Sequence, residues 1–480
     1  MIKRTLLLLF ILVRGTGLVM AESKPNFILY ITDDITWNDL SCYGDPVAKT
    51  PHLERMAKEG ILFENAYLTI SSCSPSRCSL ITSRYPHNTG ASELHTSLPV
   101  GQPLFPKVLL DAGYYTALSG KHHMGQNANV AFTKISKGKG PGKQEDWIDM
   151  LQERPKDKPF FFWFASTDAH RGWQINEDAP TYSQEEIHVP PYLFDGPQTR
   201  KDLTEYYHEV SRCDHFVGEI VKELERQKIS ENTYLLFMTD NGRPFPRCKT
   251  RLLDSGIKTP LLITGPGITP GSQTDSFVSS IDIGPTILEL ANLEKDKRIQ
   301  GVSFAKILEN PINKIRDYVF AEHNWHVYQA HERLIRWKHW TLIRNAFPNK
   351  QNLCMESDPS FPSGKELWNA HEAGKLTQNQ KDLFLNPRPA IELYNVCQDP
   401  DQLQNLAHDP KHSEIKYKLI QALDQWEKET ADSVPENITN DRQTPYGKRL
   451  KTHQRGDQPG VNRGSLTNHH PGPLRENLSP

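Results

Sequence analysis

No charge of one sign is in excess along this chain: 56 lysines and arginines stand against 58 aspartates and glutamates in 480 residues, a formal net charge of −2. A global field that would gather DNA, RNA or an anionic membrane is therefore missing, and any anionic partner must be held by local groups. Cysteines are few, at positions 42, 73, 78, 213, 248, 354 and 397, and their spacing fits no zinc framework. Their odd number leaves at least one unpaired or chemically special in an oxidising compartment. Glycine (29) and proline (35) are too scarce for a collagen-like chain, and hydrophobic residues at 37% are too plentiful for wholesale disorder. Internal repeats are also missing. Beyond residue 21 no apolar run approaches the ~20 residues that a membrane span needs.

The first residues break from this pattern. Lys3 and Arg4 lead into the apolar run from Thr5 to Val13, and Val19-Met20-Ala21 offers a small-residue cleavage site. Residues 1–21 read as a secretory signal peptide, which makes the mature chain an exported one: periplasmic or secreted if bacterial, lysosomal if eukaryotic.

Residues 25–265 alternate short apolar runs with helical patterns, the rhythm of an α/β unit with a large, mostly parallel sheet. The runs are Asn26 to Ile31, Tyr115 to Leu118, Pro159 to Ala165, Thr233 to Met238 and Pro260 to Ile263. Their near-continuous hydrophobicity suits strands buried on both faces. Helices are expected from Pro51 to Glu59 and over 202–227. From about Asp317 shorter alternating pieces (340–344, 392–396) and a helix over 413–429 imply a small α+β companion. Apolar residues thin out from Val434, so an unstructured tail is expected over 434–480, after a main unit over 22–316 and the companion over 317–433. Arg455-Gly456-Asp457 in that tail reads as a solvated charge run.

The informative residues follow the apolar runs. Ile31 leads to Asp33 and Asp34, Leu118 to Lys121 and His123, Ala165 to Asp168 and His170, and Met238 to Asp240 and Asn241. The ends of parallel strands share one edge of the sheet, where open α/β folds bind ligands. The oxygen donors Asp33, Asp34, Asp240 and Asn241 suit a hard cation, calcium before magnesium. Without a cation, such converging carboxylates would repel one another.

The strongest local signal is the segment from Cys73 to Arg84, C-S-P-S-R-C-S-L-I-T-S-R. It resembles the active-site motif C-x-P-S-R-x-x-x-[LI]-T-G-R of the type I sulfatases, with one departure, Ser83 in place of glycine. Further stretches are similar to the same family: Gly120 to Gly125 (G-K-x-H-x-G), Thr239 to Gly242 (T-D-N-G), Lys249 to Pro260 (K-x-x-L-x-x-x-G-x-x-x-P) and Glu392 to Ala407. The resemblance covers about 24–429 and implies an alkaline-phosphatase-like sandwich with a smaller C-terminal α+β domain.

It also implies chemistry. In that family a formylglycine-generating enzyme oxidises the cysteine to Cα-formylglycine (3-oxoalanine), whose hydrate attacks sulfur and whose aldehyde re-forms as sulfate leaves. Carried over, Cys73 joins Asp33, Asp34, Asp240 and Asn241 around one Ca2+. Arg77, Lys121 and Lys249 supply positive charge, His123 takes the second proton of the hydrate, and His170 with Lys249 holds sulfate and protonates the leaving group. Pro75 suits the first turn of a helix whose amides favour an anion. Asp168, Arg171 and His323 are candidates for contacting substrate hydroxyls or sulfates.

Within the family the likeness is to the heparan N-sulfatase group, through Ser71-Ser72 before the cysteine, Asp168 to Arg171 (D-A-H-R) and Asp240 to Pro246 (D-N-G-R-P-F-P). Lys249 stands where that group has arginine. A sulfated oligo- or polysaccharide is the expected substrate. N-sulfoglucosamine, O-sulfated algal polysaccharides, and phosphate or phosphonate esters on the same fold remain open, as does a glycan-binding role if Cys73 is unmodified. Lys134, Lys137, Lys139 and Lys143 read as a solvated loop that could touch a polyanion, and Trp173, Trp325, Trp337 and Trp340 as core residues that could stack on sugars.

Overall fold

Seven consecutive buried residues, Asn26–Thr32, form β1, the middle of an eight-stranded sheet. The other strands in chain order are β2 (Ile61–Phe63), β3 (Tyr115–Gly120), β4 (Lys134–Ser136), β5 (Phe160–Ala165), β6 (Thr233–Thr239), β7 (Leu261–Thr264) and β8 (Ser272–Thr274). The sheet order is β4-β3-β5-β1-β6-β7-β2-β8. This computed structural model describes residues 24–451, 458–461 and 464–476. The expected signal peptide and the Arg455-Gly456-Asp457 run lie outside the described residues.

The unbroken apolar runs have the physical reason anticipated for them. Alternate side chains of β5 enter two different cores: Phe161, Trp163 and Ala165 pack on one face, Phe160, Phe162 and Phe164 on the other. The 31-residue helix α3 (Pro197–Gln227) covers the second face with Leu203, Tyr206, Val210, Val217, Ile220 and Leu224. Helix α1 (Pro51–Glu59) joins it there through Leu53 and Met56, whereas α2 (Cys73–Thr82) packs Cys78, Leu80 and Ile81 into the first core.

Strands β1, β3, β4, β5 and β6 are parallel, but β7 runs antiparallel to both β6 and β2. That reversal positions the site. The start of β7 lies on the edge where β1, β3, β5 and β6 end, so the 240–260 connection stays on that edge throughout.

A second, four-stranded antiparallel sheet follows: β9 (Tyr318–His323), β10 (Glu332–Trp337), β11 (Trp340–Asn345) and β12 (Ile391–Asn395), in that order. Helix α4 (Ser413–Thr430) buries Leu419, Leu423 and Trp426 against Phe320, Ile335, Leu342 and Leu393. Trp426 stacks on Phe320 with ring centroids 5.1 Å apart.

Beyond α4 the outcome differs from the expected loose tail, for the described residues of 434–476 are bonded to the body. Trp325 Nε1 donates to Asn440 O (2.9 Å), Thr439 Oγ1 to Glu93 Oε2 (2.6 Å), Asn88 Nδ2 to Ser465 O (2.9 Å) and Asp317 N to Leu474 O (2.7 Å). Hydrogen bonds of amides, hydroxyls and backbone hold this segment, which is why a count of apolar residues misses it. All seven cysteines are free thiols. Among the described residues no helix is long and apolar enough to cross a membrane.

Candidate active site

The ends of four parallel strands bring their polar residues together as the sequence implies. Asp33 N donates to Asp168 O (2.8 Å), Ala169 N to Asp33 O (2.5 Å) and Asp240 N to Thr32 O (3.1 Å), so the turns after β1, β5 and β6 are tied backbone to backbone. Gly120 closes β3 where the backbone passes so near that a Cβ would stand 1.9 Å from Ala165 O. Lys121, next in sequence, donates its backbone N–H to that same oxygen at 2.8 Å.

Cys73 opens α2, with Pro75 in its first turn. Its thiol sulfur lies 3.8 Å from Asp33 Oδ1 and 4.0 Å from Asp34 Oδ1. Ser72 leaves the helix N-terminus uncapped by its side chain, because its hydroxyl pairs with His326 Nδ1 at 2.7 Å. Helix backbone N–H groups are thereby free of a side-chain cap beside Cys73, an electrostatic setting that favours an anion.

Three cations answer three carboxylates. Lys121 pairs with Asp33, Lys249 Nζ reaches Asp34 Oδ2 at 2.7 Å, and Arg77 Nε reaches Asp240 Oδ2 at 2.7 Å, all of them buried or nearly so. Burial alone would raise Asp33, but Lys121, His170, Arg77 and Lys249 hold its carboxyl well below the usual range. Burial wins at Asp34 and Asp240, which are raised despite their cationic partners. Buried Lys121 and Lys249 remain charged, their desolvation outweighed by Asp33 and Asp34 respectively.

Asp33, Asp34 and Cys73 form the one acid and thiol cluster among the described residues with metal-ligand spacing. Asn241 Nδ2 meets Asp34 Oδ1 at 2.5 Å, while Asn241 Oδ1 is buried without a hydrogen-bond partner. An orphaned amide oxygen beside two carboxylates of raised pKa is a donor set lacking positive charge. It fits a hard divalent cation.

Part of this cluster lines a cavity of about 470 Å³. Its wall includes Asp34, Cys73, His123, His170, Arg171 and Lys249 among the residues singled out from sequence. Asp33, Arg77, Lys121, Asp240 and Asn241 stand behind them. His123 Nε2 is 2.8 Å from His95 Nδ1, and its Nδ1 is buried without a partner. Burial and then Lys121 push its pKa down to about 2. His170 Nδ1 donates to Arg171 O at 2.6 Å, which leaves Nε2 as the free nitrogen, and burial followed by Lys249 brings its pKa to about 3.

The stretch from 25 to 293 matches the family model described as Sulfatase. The chain belongs to the sulfatase family. A second model, described as the C-terminal part of N-sulphoglucosamine sulphohydrolase, matches 248–385 of this sulfatase. It is 28% identical to the N-sulphoglucosamine sulphohydrolase of Homo sapiens, covering 89% of this chain and 95% of the relative. It is 27% identical to an ulvan-active sulfatase of Formosa agariphila over 86% of this chain and 76% of that one. A solved protein in complex with its substrate D-glucosamine-2-N,6-O-disulfate superposes with a TM-score of 0.65 at 20% identity, covering 85% of this chain and 98% of that one. The phosphonate monoester hydrolase of Agrobacterium radiobacter gives a TM-score of 0.63 at 16% identity, over 83% of this chain and 94% of its own. The fold is therefore the alkaline-phosphatase-like sandwich, which serves more than one ester chemistry.

Two residues expected to touch substrate are not in the sulfatase's cavity wall. Asp168 is spent on Arg212, with its oxygens 2.7 and 2.8 Å from Nη2 and Nε, and it braces the Asp33 turn through its carbonyl. His323 is buried in β9 with Nδ1 3.4 Å from Glu332 Oε1. The β9–β10 connection instead sends His326 to the cavity. Arg171 does line it, locked in a two-pronged pair with Asp202 (2.6 and 2.7 Å) and packed against Trp173, Phe245 and Phe361. Trp173 lines the cavity and donates to Asp202 Oδ1 at 2.8 Å, whereas Trp325, Trp337 and Trp340 do not line it. Sequence reading missed His95, His326, Met355, Glu356, Phe361 and Arg442, which also form the wall. No motif marks them. They come from loops and from the segment after α4, brought in only by the tertiary fold.

Proposed function

We propose that this sulfatase is exported and releases sulfate from a sulfated carbohydrate, using a formylglycine made from Cys73. The observation that carries the reading is the position of Cys73: first residue of a helix, beside Asp33 and Asp34, on the wall of a cavity shared with Lys249, His123 and His170. Asp33, Asp34, Asp240, Asn241 and residue 73 would hold a calcium ion. When present, the ion and the hydrated aldehyde together supply charge for the sulfuryl oxygens and a hydroxyl nucleophile.

The chain's own residues do the rest. Lys249 and the first-turn amides of α2 hold the anionic group in place. Lys121 keeps Asp33 ionised from behind, and Arg77 holds Asp240 in place through its 2.7 Å ion pair. His123, kept neutral by burial and Lys121, has an unpartnered Nδ1 to accept a proton from position 73, and the negative charge of a bound sulfate would offset the Lys121 charge that opposes its protonation. His170 presents Nε2, and an anionic sulfate laid against it raises that nitrogen's basicity so that it can carry a proton to the leaving group.

The match of 248–385 to the N-sulphoglucosamine sulphohydrolase model makes an N-sulfated glucosamine the substrate to test first. The ulvan-active relative supports an O-sulfated polysaccharide as the second reading. The test is sulfate release by protein co-produced with a formylglycine-generating enzyme, with calcium, on N-sulfoglucosamine beside ulvan oligosaccharides. Release from the first supports N-sulfate cleavage, and release only from the second makes the chain a polysaccharide O-sulfatase. A tryptic peptide spanning position 73 with unaltered cysteine mass in the native host would sink the formylglycine mechanism.

A further inference from the structure

One buried carboxylate in the cavity wall is left over once the catalytic groups have their roles. Glu356 is 4% exposed and sits on the short turn Met355–Ser357. Its Oε1 lies 3.5 Å from Lys249 Nζ, a contact that Lys249 shares with the closer Asp34 Oδ2 at 2.7 Å. Glu356 Oε2 is buried and has no hydrogen-bond partner among the described residues. The backbone carrying it is fixed: Ser357 Oγ donates to Cys354 O (2.6 Å) and Trp368 Nε1 donates to Ser357 O (2.9 Å).

A desolvated acceptor without a donor is unfavourable, and a cavity that contains one selects ligands that supply the donor. Charge narrows the choice. A second sulfate or a carboxylate at this point would meet an anion of the same sign, whereas a hydroxyl would complete the missing hydrogen bond. Position narrows it again. Lys249 bridges Glu356 to Asp34, whose Oδ1 is 4.0 Å from Cys73 Sγ, so a group on Glu356 is one lysine ammonium away from the reacting end. Of the pairs of substituents a sugar ring offers, those on adjacent carbons are the nearest together, and two groups joined through one ammonium call for a near pair.

Resting on the sulfatase reading above, we propose that Glu356 is a specificity-determining residue. It accepts a hydrogen bond from the hydroxyl on the ring carbon next to the one carrying the transferred sulfate, and it disfavours sugars sulfated at both carbons.

The test is a double-mutant cycle in kcat/KM on the formylglycine-bearing, calcium-loaded enzyme. N-sulfoglucosamine is paired with its 3-deoxy analogue, and 3-O-sulfoglucosamine with its 4-deoxy analogue. For whichever pair the wild type hydrolyses, it should favour the hydroxyl-bearing member by about tenfold or more. Glu356→Ala should bring that ratio close to one, and Glu356→Gln, whose amide oxygen still accepts, should keep part of it. Glu356→Gln should also raise turnover of the 2-N,3-O-disulfated sugar relative to the monosulfated one. A ratio that persists in Glu356→Ala, with both members slowed equally, overturns the proposal. If Glu356→Ala fails to fold, the isosteric Glu356→Gln carries the test, and an unchanged disulfate preference in it is then the overturning result. Sulfate release from neither pair nor from ulvan by the wild type would remove the sulfatase reading and this one with it, whereas release from ulvan alone, or from a pair with a ratio that Glu356→Ala leaves unaltered, removes only this one.

Discussion

Cys73 as encoded is a poor nucleophile, since burial, only partly offset by Lys121 and Lys249, pushes its thiol up to about 12. A thiolate is therefore scarce at neutral pH, and oxidation to an aldehyde makes chemical sense of a cysteine placed between two aspartates. Cys73→Ala should abolish sulfate release while leaving the melting temperature nearly unchanged, because the side chain lost makes only two long sulfur contacts. Appreciable turnover by that variant would contradict the aldehyde mechanism. Lys249 is the opposite case, its ammonium serving Asp34 and Glu356 while itself only 2% exposed. Lys249→Met strands two buried carboxylates, so it should cost about 3–5 kcal/mol of stability. It should also lower sulfate release by roughly a hundredfold or more. Chemical denaturation and initial rates measured on the same preparation check both. Cys73, Lys249 and the four oxygen-bearing residues Asp33, Asp34, Asp240 and Asn241 were legible in the sequence because they sit within short motifs that follow the apolar runs or open a helix. Glu356 and His326 were not, since nothing in their neighbours announces that a turn will aim them at a cavity built from distant segments.

At the scale of elements, α2 ends where its sequence departs from the motif. Ser83 closes the helix at φ 53° and ψ 41°, and its N–H donates to Leu80 O at 3.2 Å. This left-handed geometry is the one glycine adopts without strain, which explains why a glycine stands there in the motif. Ser83→Gly should therefore stabilise the chain by about 1 kcal/mol, read as a later urea midpoint with an unchanged slope. Strands β1, β3, β5, β6 and β7 were predictable from their continuous apolar runs and α1 from proline placement, whereas β2, β4 and β8, three residues each, are too short to leave such a run. The attachment of the segment after α4 was not predictable either, because single hydrogen bonds leave no periodic trace. One of them titrates. Glu93, buried and bonded to Thr439, has its pKa raised from 4.5 to about 7 by burial, partly offset by that hydroxyl. The folded state thus holds a proton there that the unfolded chain releases, so this contribution is present below about pH 4.5 and fades as pH rises through 7. Limited proteolysis within 432–451 should accelerate between pH 5.5 and 8, and Glu93→Gln should flatten that dependence. Equal cleavage rates at both pH values would refute the role given to Glu93.

For the molecule as a whole, the decisive feature is that one edge of one sheet collects the chemistry of segments more than 200 residues apart. Four parallel strand ends were expected to do so, and they do. The antiparallel course of β7 was not foreseen, and it is what keeps the Lys249 loop on the same edge rather than carrying it to the far side. Convergence of this kind concentrates charge, with Asp34 and Asp240 raised by burial even beside Lys249 and Arg77. A divalent cation binding there lets both carboxylates ionise and gives the orphaned Asn241 oxygen a partner, while the unfolded chain, with these residues dispersed, offers no comparable site. Calcium should therefore stabilise the folded protein by mass action, about 2.7 kcal/mol when the free ion is a hundredfold above its dissociation constant. Thermal melts of the protein after chelation, titrated with calcium and in parallel with magnesium, measure this without reference to activity. The melting temperature should climb with calcium concentration and less with magnesium. In Asp34→Asn, which removes one negative charge from the donor set, the climb should need a much higher concentration. A melting temperature indifferent to calcium in the parent chain would mean that Lys121, Lys249 and Arg77 already neutralise the cluster, and that the oxygen donors are structural.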